Sequence, residues 1–276
     1  MQYVTHFDSA YRAHGMALIA SMQEYCEPFE LTVLALDHKC YRYLLDQNLG
    51  DNVRIISLSS FELKSRHPLH VIRQQKTWKE YCWLLEPLLC QSMLEDMGVD
   101  AFVYVDADSF FFGTPSFPKG AAVALSPHNF PDGQTHREAT VGRFNFGFGY
   151  FARWQATIDL VSCWVDDTLE RCDGNSAGHQ MSLDDWPDVI GTLFTELPPT
   201  INVGPWQHAE ITGDRPTIGG EPLVHMHFHE HRRRLVGGKN PVMLKGQRWN
   251  RTDYPIHPET LSSVYLPYER VLERYI

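Results

Sequence analysis

Two acids and a late run of histidines are the residues of this chain whose types and spacing could do chemistry. Asp106 and Asp108 close the segment Phe102-Val-Tyr-Val105 and are followed by Phe110, Phe111 and Phe112. Burying an unpaired carboxylate is strongly unfavourable, so two acids in so apolar a stretch call for something to neutralise them. In extended backbone, residues two apart point to the same side, which lets the pair face one divalent cation. The plainer reading is two exposed acids that begin a loop. His225, His227 and His229 repeat the two-residue spacing, so on a strand three imidazoles line one face. For a single histidine, packing in the core is the commoner fate. Imidazole suits zinc and other transition metals, and carboxylates suit magnesium and manganese; a mixed set points to Mn2+, with Mg2+ as the other candidate. Arg232, Arg233 and Arg234 follow at once and either grip phosphate or form a solvated charge run.

The elements that must position these groups alternate in type. Phe102 to Val105 runs without a polar break, as a strand buried on both faces of a parallel sheet does. Open α/β sheets bind ligands at the carboxyl ends of such strands, where the two acids stand. Upstream, strands at Tyr3–Phe7, Phe29–Leu36 and Val53–Leu58 alternate with helices over Tyr11–Tyr25 and Tyr41–Gln47, which predicts right-handed crossovers and a parallel sheet. Thr5, His6, Asp8 and Ser9 then fall in the first strand-to-helix loop, where they touch a ligand or, for Asp8 and Ser9, cap the helix. Thr77 to Met97 reads as a long buried helix that Pro87 kinks or restarts, stopped by Gly98.

Downstream come a strand at Ala121–Leu125 and a polar loop from Pro131 to Arg143, long enough to suggest binding. Phe144 to Phe151 is a strand with aromatics at alternate positions. Gly147 and Gly149 on its other face leave room for close approach to the backbone. Asn145 shares that glycine face and either hydrogen-bonds a sugar hydroxyl or satisfies a neighbouring loop. An amphipathic helix over Trp154–Arg171 stops at Asp173-Gly-Asn175. Gln180 and Asp184 lie one helical turn apart, so an amide and a carboxylate on one face could grip hydroxyls; Asp184 and Asp185 could equally be surface acids before Pro187. Tyr265–Ile276 reads as a closing helix without chemistry.

The 276 residues are 43% hydrophobic, enough for a sizeable core, and read as one domain. A formal net charge of −10 argues against a general nucleic-acid binder or a strongly basic membrane-surface protein. The six cysteines show no Cys-x-x-Cys pair and stand in apolar or helical contexts, as reduced core thiols do. The N-terminus has no signal-peptide pattern, and no run reaches the roughly 18 apolar residues of a transmembrane helix. A cytoplasmic protein with at most peripheral membrane association is the expectation.

Taken together and in order, these residues resemble the nucleotide-diphospho-sugar transferases of the GT-A fold, and more narrowly the retaining branch that includes glycogenin and the bacterial galactosyltransferases of lipopolysaccharide synthesis. Tyr104-Val-Asp106-Ala-Asp108 is similar to that branch's metal-binding Asp-x-Asp, and Phe144-Asn145-Phe-Gly147 to its Phe-Asn-x-Gly strand. His179-Gln180 is similar to its Asp-Gln pair and His227-Phe228 to its late His-Phe or His-Tyr. The resemblance implies one α/β domain over 1–276, Rossmann-type, with a mixed, mostly parallel sheet flanked by helices. Residues 1–115 would be the nucleotide-binding half, and 116–276 the acceptor-side half with the closing helix.

By the same resemblance Asp106 contacts ribose and metal, Asp108 ligates the metal and His227 completes the ligands, with His229 as second choice. Asn145 and Gln180 face the donor sugar, and Asp184 joins them as a catalytic candidate. Thr5 and Asp8 join the nucleotide contacts. In the branch's late motif, Glu230 stands where a glycine is usual and Arg233 where a phosphate-binding lysine is usual. His179 replaces the acid of the Asp-Gln pair, so that acid's role does not carry over. The implied reaction is metal-dependent transfer of a sugar from a UDP- or GDP-linked donor to a carbohydrate acceptor, with retention, in polysaccharide biosynthesis. A metallohydrolase built on the histidine cluster and the Asp pair is the alternative, and a metal-free carbohydrate-binding module using Trp186 and Trp206 a third reading.

Overall fold

A computed structural model describes residues 1–171, 178–229, 231 and 256–276. The elements are β1 (Gln2–Phe7), α1 (Arg12–Tyr25), β2 (Glu30–Ala35), α2 (His38–Leu45), β3 (Val53–Ser57), α3 (Leu58–Lys64), α4 (Leu69–Gln75), α5 (Trp78–Glu95), β4 (Ala101–Val105) and β5 (Ser109–Phe111). They continue with β6 (Val123–Pro127), α6 (Glu138–Val141), β7 (Phe144–Ala152), α7 (Gln155–Arg171), α8 (Gly178–Met181), α9 (Trp186–Ile190) and β8 (Phe194–Glu196). After these come β9 (Glu210–Thr212), β10 (Arg215–Ile218), β11 (Glu221–Pro222), β12 (His225–His227), α10 (Pro258–Thr260) and α11 (Leu266–Leu272). The chain divides into two compact units, one of Met1–Arg12, Pro28–Ala107 and Ser116–Pro198, the other of Ala13–Glu27, Asp108–Pro115 and Pro199–Ile276.

The first unit is a seven-stranded sheet in the order β3-β2-β1-β4-β7-β6-β8. Its strands run parallel except at β7, which pairs antiparallel with both β4 and β6. The uninterrupted apolar reading of β4 is explained by its place between β1 and β7, where Phe102 to Val105 are all buried. β7 is buried at every one of its nine residues. Gly149 leaves space for the core and not for a ligand: a Cβ there would meet Phe151 at 2.9 Å and Leu125 and Phe146 at 3.1 Å.

α5 is one continuous helix with Pro87 inside it, where the sequence predicts a kink or a restart. Thr77 and Glu80 form a reciprocal capping box at its start, and Tyr81, Leu84, Leu85, Leu88 and Leu89 bury most of its circumference. The single donor that Pro87 removes is outweighed by that burial. α3 and α4 occupy the stretch after β3, where the sequence signals no helix, and the polar loop before β7 carries the one-turn helix α6.

The second unit holds a two-stranded ladder of β5 with β12, a small sheet of β9 to β11, and the C-terminal helices. Its core gathers Ala17 of α1, Phe110, Met226, Phe228, Tyr265 and Tyr268. Phe228 and Tyr268 stack with ring centroids 3.8 Å apart. Among the described cysteines, Cys26, Cys40 and Cys90 are buried and Cys82 half-buried, whereas Cys163 is exposed; all are free thiols. Among the described residues, no helix is long and apolar enough to cross a membrane.

Candidate functional site

The Asp-x-Asp segment is not extended: β4 ends at Val105, and Asp106 to Asp108 form the turn that leads into β5. What brings a histidine to it is strand pairing. β5 and β12 run antiparallel with His227 opposite Ser109 and His225 opposite Phe111. The Phe228 amide donates to the Asp108 carbonyl at 2.8 Å, which continues the ladder past the strand end. On its other side β12 is held through Val203, whose carbonyl accepts from His227 N at 2.9 Å. The His227 imidazole Nε2 therefore stands 3.3 Å from Asp108 Oδ1. One ligand atom from each of Asp106, Asp108 and His227 lies within 4.8 Å of the other two.

Asp108 is 9% exposed and His227 3%. Desolvation works to raise the Asp108 carboxyl, but the facing imidazole of His227, with His14 and His229 behind it, outweighs that and holds it down at about 2. A half-buried carboxylate, a buried one and a buried imidazole converging in this way form a donor set that a hard or borderline divalent cation satisfies, and one that an apolar filling would leave uncompensated.

Asp106 is oriented by a neighbour. Tyr104 lies two residues earlier on β4 and its hydroxyl donates to Asp106 Oδ1 at 2.7 Å. The same hydroxyl is 3.3 Å from His6 Nδ1, and the Tyr104 ring stacks on Phe146 at 4.7 Å. Burial, then the Asp106 charge, keeps the Tyr104 phenol well above its ordinary 10.0, so it stays a donor. Desolvation pushes His6 down to about 4 although Asp8 pulls the other way, and it likewise pushes His179 down to about 4. His179 sits 2.9 Å from Glu86 of α5 and stacks on Trp83.

The other sequence-predicted residues divide between the two units. Asp8 leaves β1 and accepts from Ala10 N and Tyr11 N on one oxygen and from Trp78 Nε1, at 3.0 Å, on the other. The bonds to Ala10 N and Tyr11 N are the cap-like alternative that the sequence offers for Asp8. Thr5 is buried in β1, and its hydroxyl has no hydrogen-bond partner among the described residues. Asn145 is buried in β7. Gln180 spends both ends of its amide on backbone, accepting from Phe146 N at 3.3 Å and donating to Val141 O at 2.6 Å. α8 ends at Met181, so Asp184 does not share a helical face with Gln180; its carboxylate accepts from Arg143 N at 2.8 Å. Desolvation raises the Asp184 carboxyl above its ordinary value.

β12 ends at His227, so the three-histidine face breaks up. His225 accepts from Asn202 N at 3.2 Å and packs edge-on against Phe111, with burial holding its pKa well below 6.5. His229 is half-buried past the strand end, its ring 5.3 Å from that of His227 and 6.4 Å from Trp206. Trp186 and Trp206 are buried and offer no exposed stacking platform. Arg233, with Arg232, Arg234 and Glu230, lies outside the described residues. A cleft of about 1300 Å3 in the first unit runs past Arg54, Ser57, Lys64 and Gln91, and none of the sequence-predicted site residues lines it.

Tyr104, bonded to Asp106, and Trp78, bonded to Asp8, are partners that the sequence does not single out. Tyr104 carried a signal, because residues two apart on a strand share a side. Trp78 carried none, since only the folded chain brings it to Asp8.

This geometry can be set beside known proteins. The galactosyltransferase LgtC, solved with donor and acceptor sugar analogues, superposes with a TM-score of 0.57 over 100% of this chain and 96% of that one, at 13% identity. Mouse xyloside xylosyltransferase 1 superposes with a TM-score of 0.52 over 83% of this chain and 98% of that one, also at 13% identity. The fold is the GT-A fold. In sequence the chain is 28% identical over 278 residues to YfnD of Bacillus subtilis (strain 168), covering 95% of this chain and 85% of that protein. It is 23% identical to YfnF of the same strain over 95% of this chain and 92% of that one. Both relatives are described only as uncharacterized. No family model matches.

Proposed function

We propose that the protein is a metal-dependent glycosyltransferase that moves a sugar from a nucleoside-diphosphate donor to a carbohydrate acceptor. The observation that carries this reading is the convergence of Asp106, Asp108 and His227 at the end of the central strand of a GT-A sheet. The same fold in a galactosyltransferase and a xylosyltransferase supports it.

Asp106, Asp108 and His227 would hold Mn2+ or Mg2+, which when bound supplies positive charge against the diphosphate leaving group. The chain's own part is to keep that donor set ready. Asp108 is ionised throughout the neutral range, and Tyr104 fixes the orientation of the Asp106 carboxylate. Asp8, steadied by Trp78, and Thr5, with a buried hydroxyl, are assigned to the nucleoside. Asn145 is assigned to the donor sugar. Gln180 and Asp184 pin the backbone on either side of it, at Phe146 and Arg143, and so act as positioning residues. His229 as a reserve ligand, Arg233 as the phosphate contact and retention of configuration rest on the motif resemblance.

The hydrolase alternative has lost one of its imidazoles, since His225 is taken up by Asn202 and Phe111. Titration calorimetry tests the proposal: Mn2+ first, then UDP- and GDP-linked sugars with and without the metal. Binding of one donor series only when the metal is present supports it, and indifference of every donor to metal overturns it. An NMR assignment of the product anomer decides retention.

A further inference from the structure

The chain carries 24 basic and 34 acidic residues, yet the stretch from Leu63 to Lys79 holds Lys64, Arg66, Arg73, Lys76 and Lys79 and not one acid. It comprises the end of α3, all of α4 and the start of α5, and most of its residues are exposed. Its apolar residues split into two sets. Leu69 is fully buried and Ile72 packs on the core, so they tie α4 down. Leu63 is 87% exposed, Val71 41% and Trp78 42%, and they stand out among the cations. Arg66 pairs with Glu95, Arg73 lies 3.1 Å from Glu62, and Lys79 sits over the Trp83 ring at 4.6 Å.

We propose that Leu63–Lys79 is a docking surface for an anionic lipid bilayer. Cations alone fit any polyanion. Cations interleaved with a leucine left almost wholly in water fit an interface that is negative at its surface and apolar just beneath it. In a chain of formal net charge −10, the strip would also orient the molecule by turning a locally basic face to the membrane. Apart from Trp78, which also donates to Asp8, the strip shares no residue with the proposed metal and donor contacts, and its tests use only Lys64, Lys76 and Leu63, so the inference stands or falls independently of the proposed reaction.

Co-sedimentation with vesicles tests it, comparing phosphatidylcholine alone with phosphatidylcholine containing phosphatidylglycerol. Binding should require the anionic lipid and weaken as salt is raised. Lys64→Gln and Lys76→Gln should each lower it about five-fold, and Leu63→Ser should lower it further at fixed charge. All three variants should keep the parent's circular dichroism and Mn2+ affinity, which separates lost docking from lost folding. Equal binding to neutral vesicles, or unchanged binding by the lysine variants, overturns the proposal. So does Leu63→Ser binding as tightly as the parent while heparin competes, since the strip would then be a site for soluble polyanions.

Discussion

Tyr104 and Asp106 illustrate how much rests on single side chains. A carboxylate that must meet a cation in a fixed direction needs a partner on its other oxygen, and the Tyr104 hydroxyl provides one at 2.7 Å. Tyr104→Phe should therefore leave the fold intact and weaken Mn2+ binding by about 10- to 100-fold, the usual cost of losing a ligand's outer partner, as read by calorimetry. Asp108→Asn alters one of the three proposed metal ligands and should abolish both Mn2+ binding and metal-dependent donor binding. The acids and the histidines could be picked out in the sequence because their spacing and apolar surroundings are local properties. Among three similarly spaced histidines it was the motif resemblance, and not the spacing, that singled out His227, since His225 differs from His227 only in what the fold sets beside it, Asn202 and Phe111 in one case and Asp108 in the other.

Whole elements show the same division. Strands and helices with strong periodicity stand within a few residues of where the pattern puts them, as β1, β2, β7 and α7 do. α3 and α4 do not announce themselves, because seven-residue helices on the surface have only one or two core-facing positions each to carry a pattern. The turn Asn202-Val-Gly-Pro-Trp206 is a case where a small residue has a packing reason: a Cβ on Gly204 would lie 2.3 Å from the Trp206 ring. Gly204→Ala should force that ring aside and cost about 1–3 kcal/mol, a loss visible as a midpoint several degrees lower in thermal unfolding. Glu80→Ala breaks the capping box of α5 and should lower the midpoint of urea unfolding, with no change in metal affinity.

At the scale of the molecule, buried neutral histidines set the response to acid. His6 and His179 are depressed from 6.5 to about 4 in the folded chain, chiefly by desolvation. Between those two values the unfolded chain takes up protons that the folded chain refuses, so stability is full above pH 6.5 and is lost as pH falls towards about 4. Unfolding midpoints measured across that window should fall steadily, and His179→Gln should flatten the slope; a parent protein with no slope there would contradict the assignment. By itself the sequence determined the alternation of strand and helix and the acidic end of the central strand, since periodicity, propensity and charge are carried by neighbouring residues. Tertiary structure alone decided that the Asp-x-Asp segment is a turn, that His225 is taken up by Asn202 and Phe111, and that Gln180 is spent on backbone. Those outcomes depend on pairing β5 with a strand more than a hundred positions later and on which groups lose water when the core closes, and neither is written in local spacing.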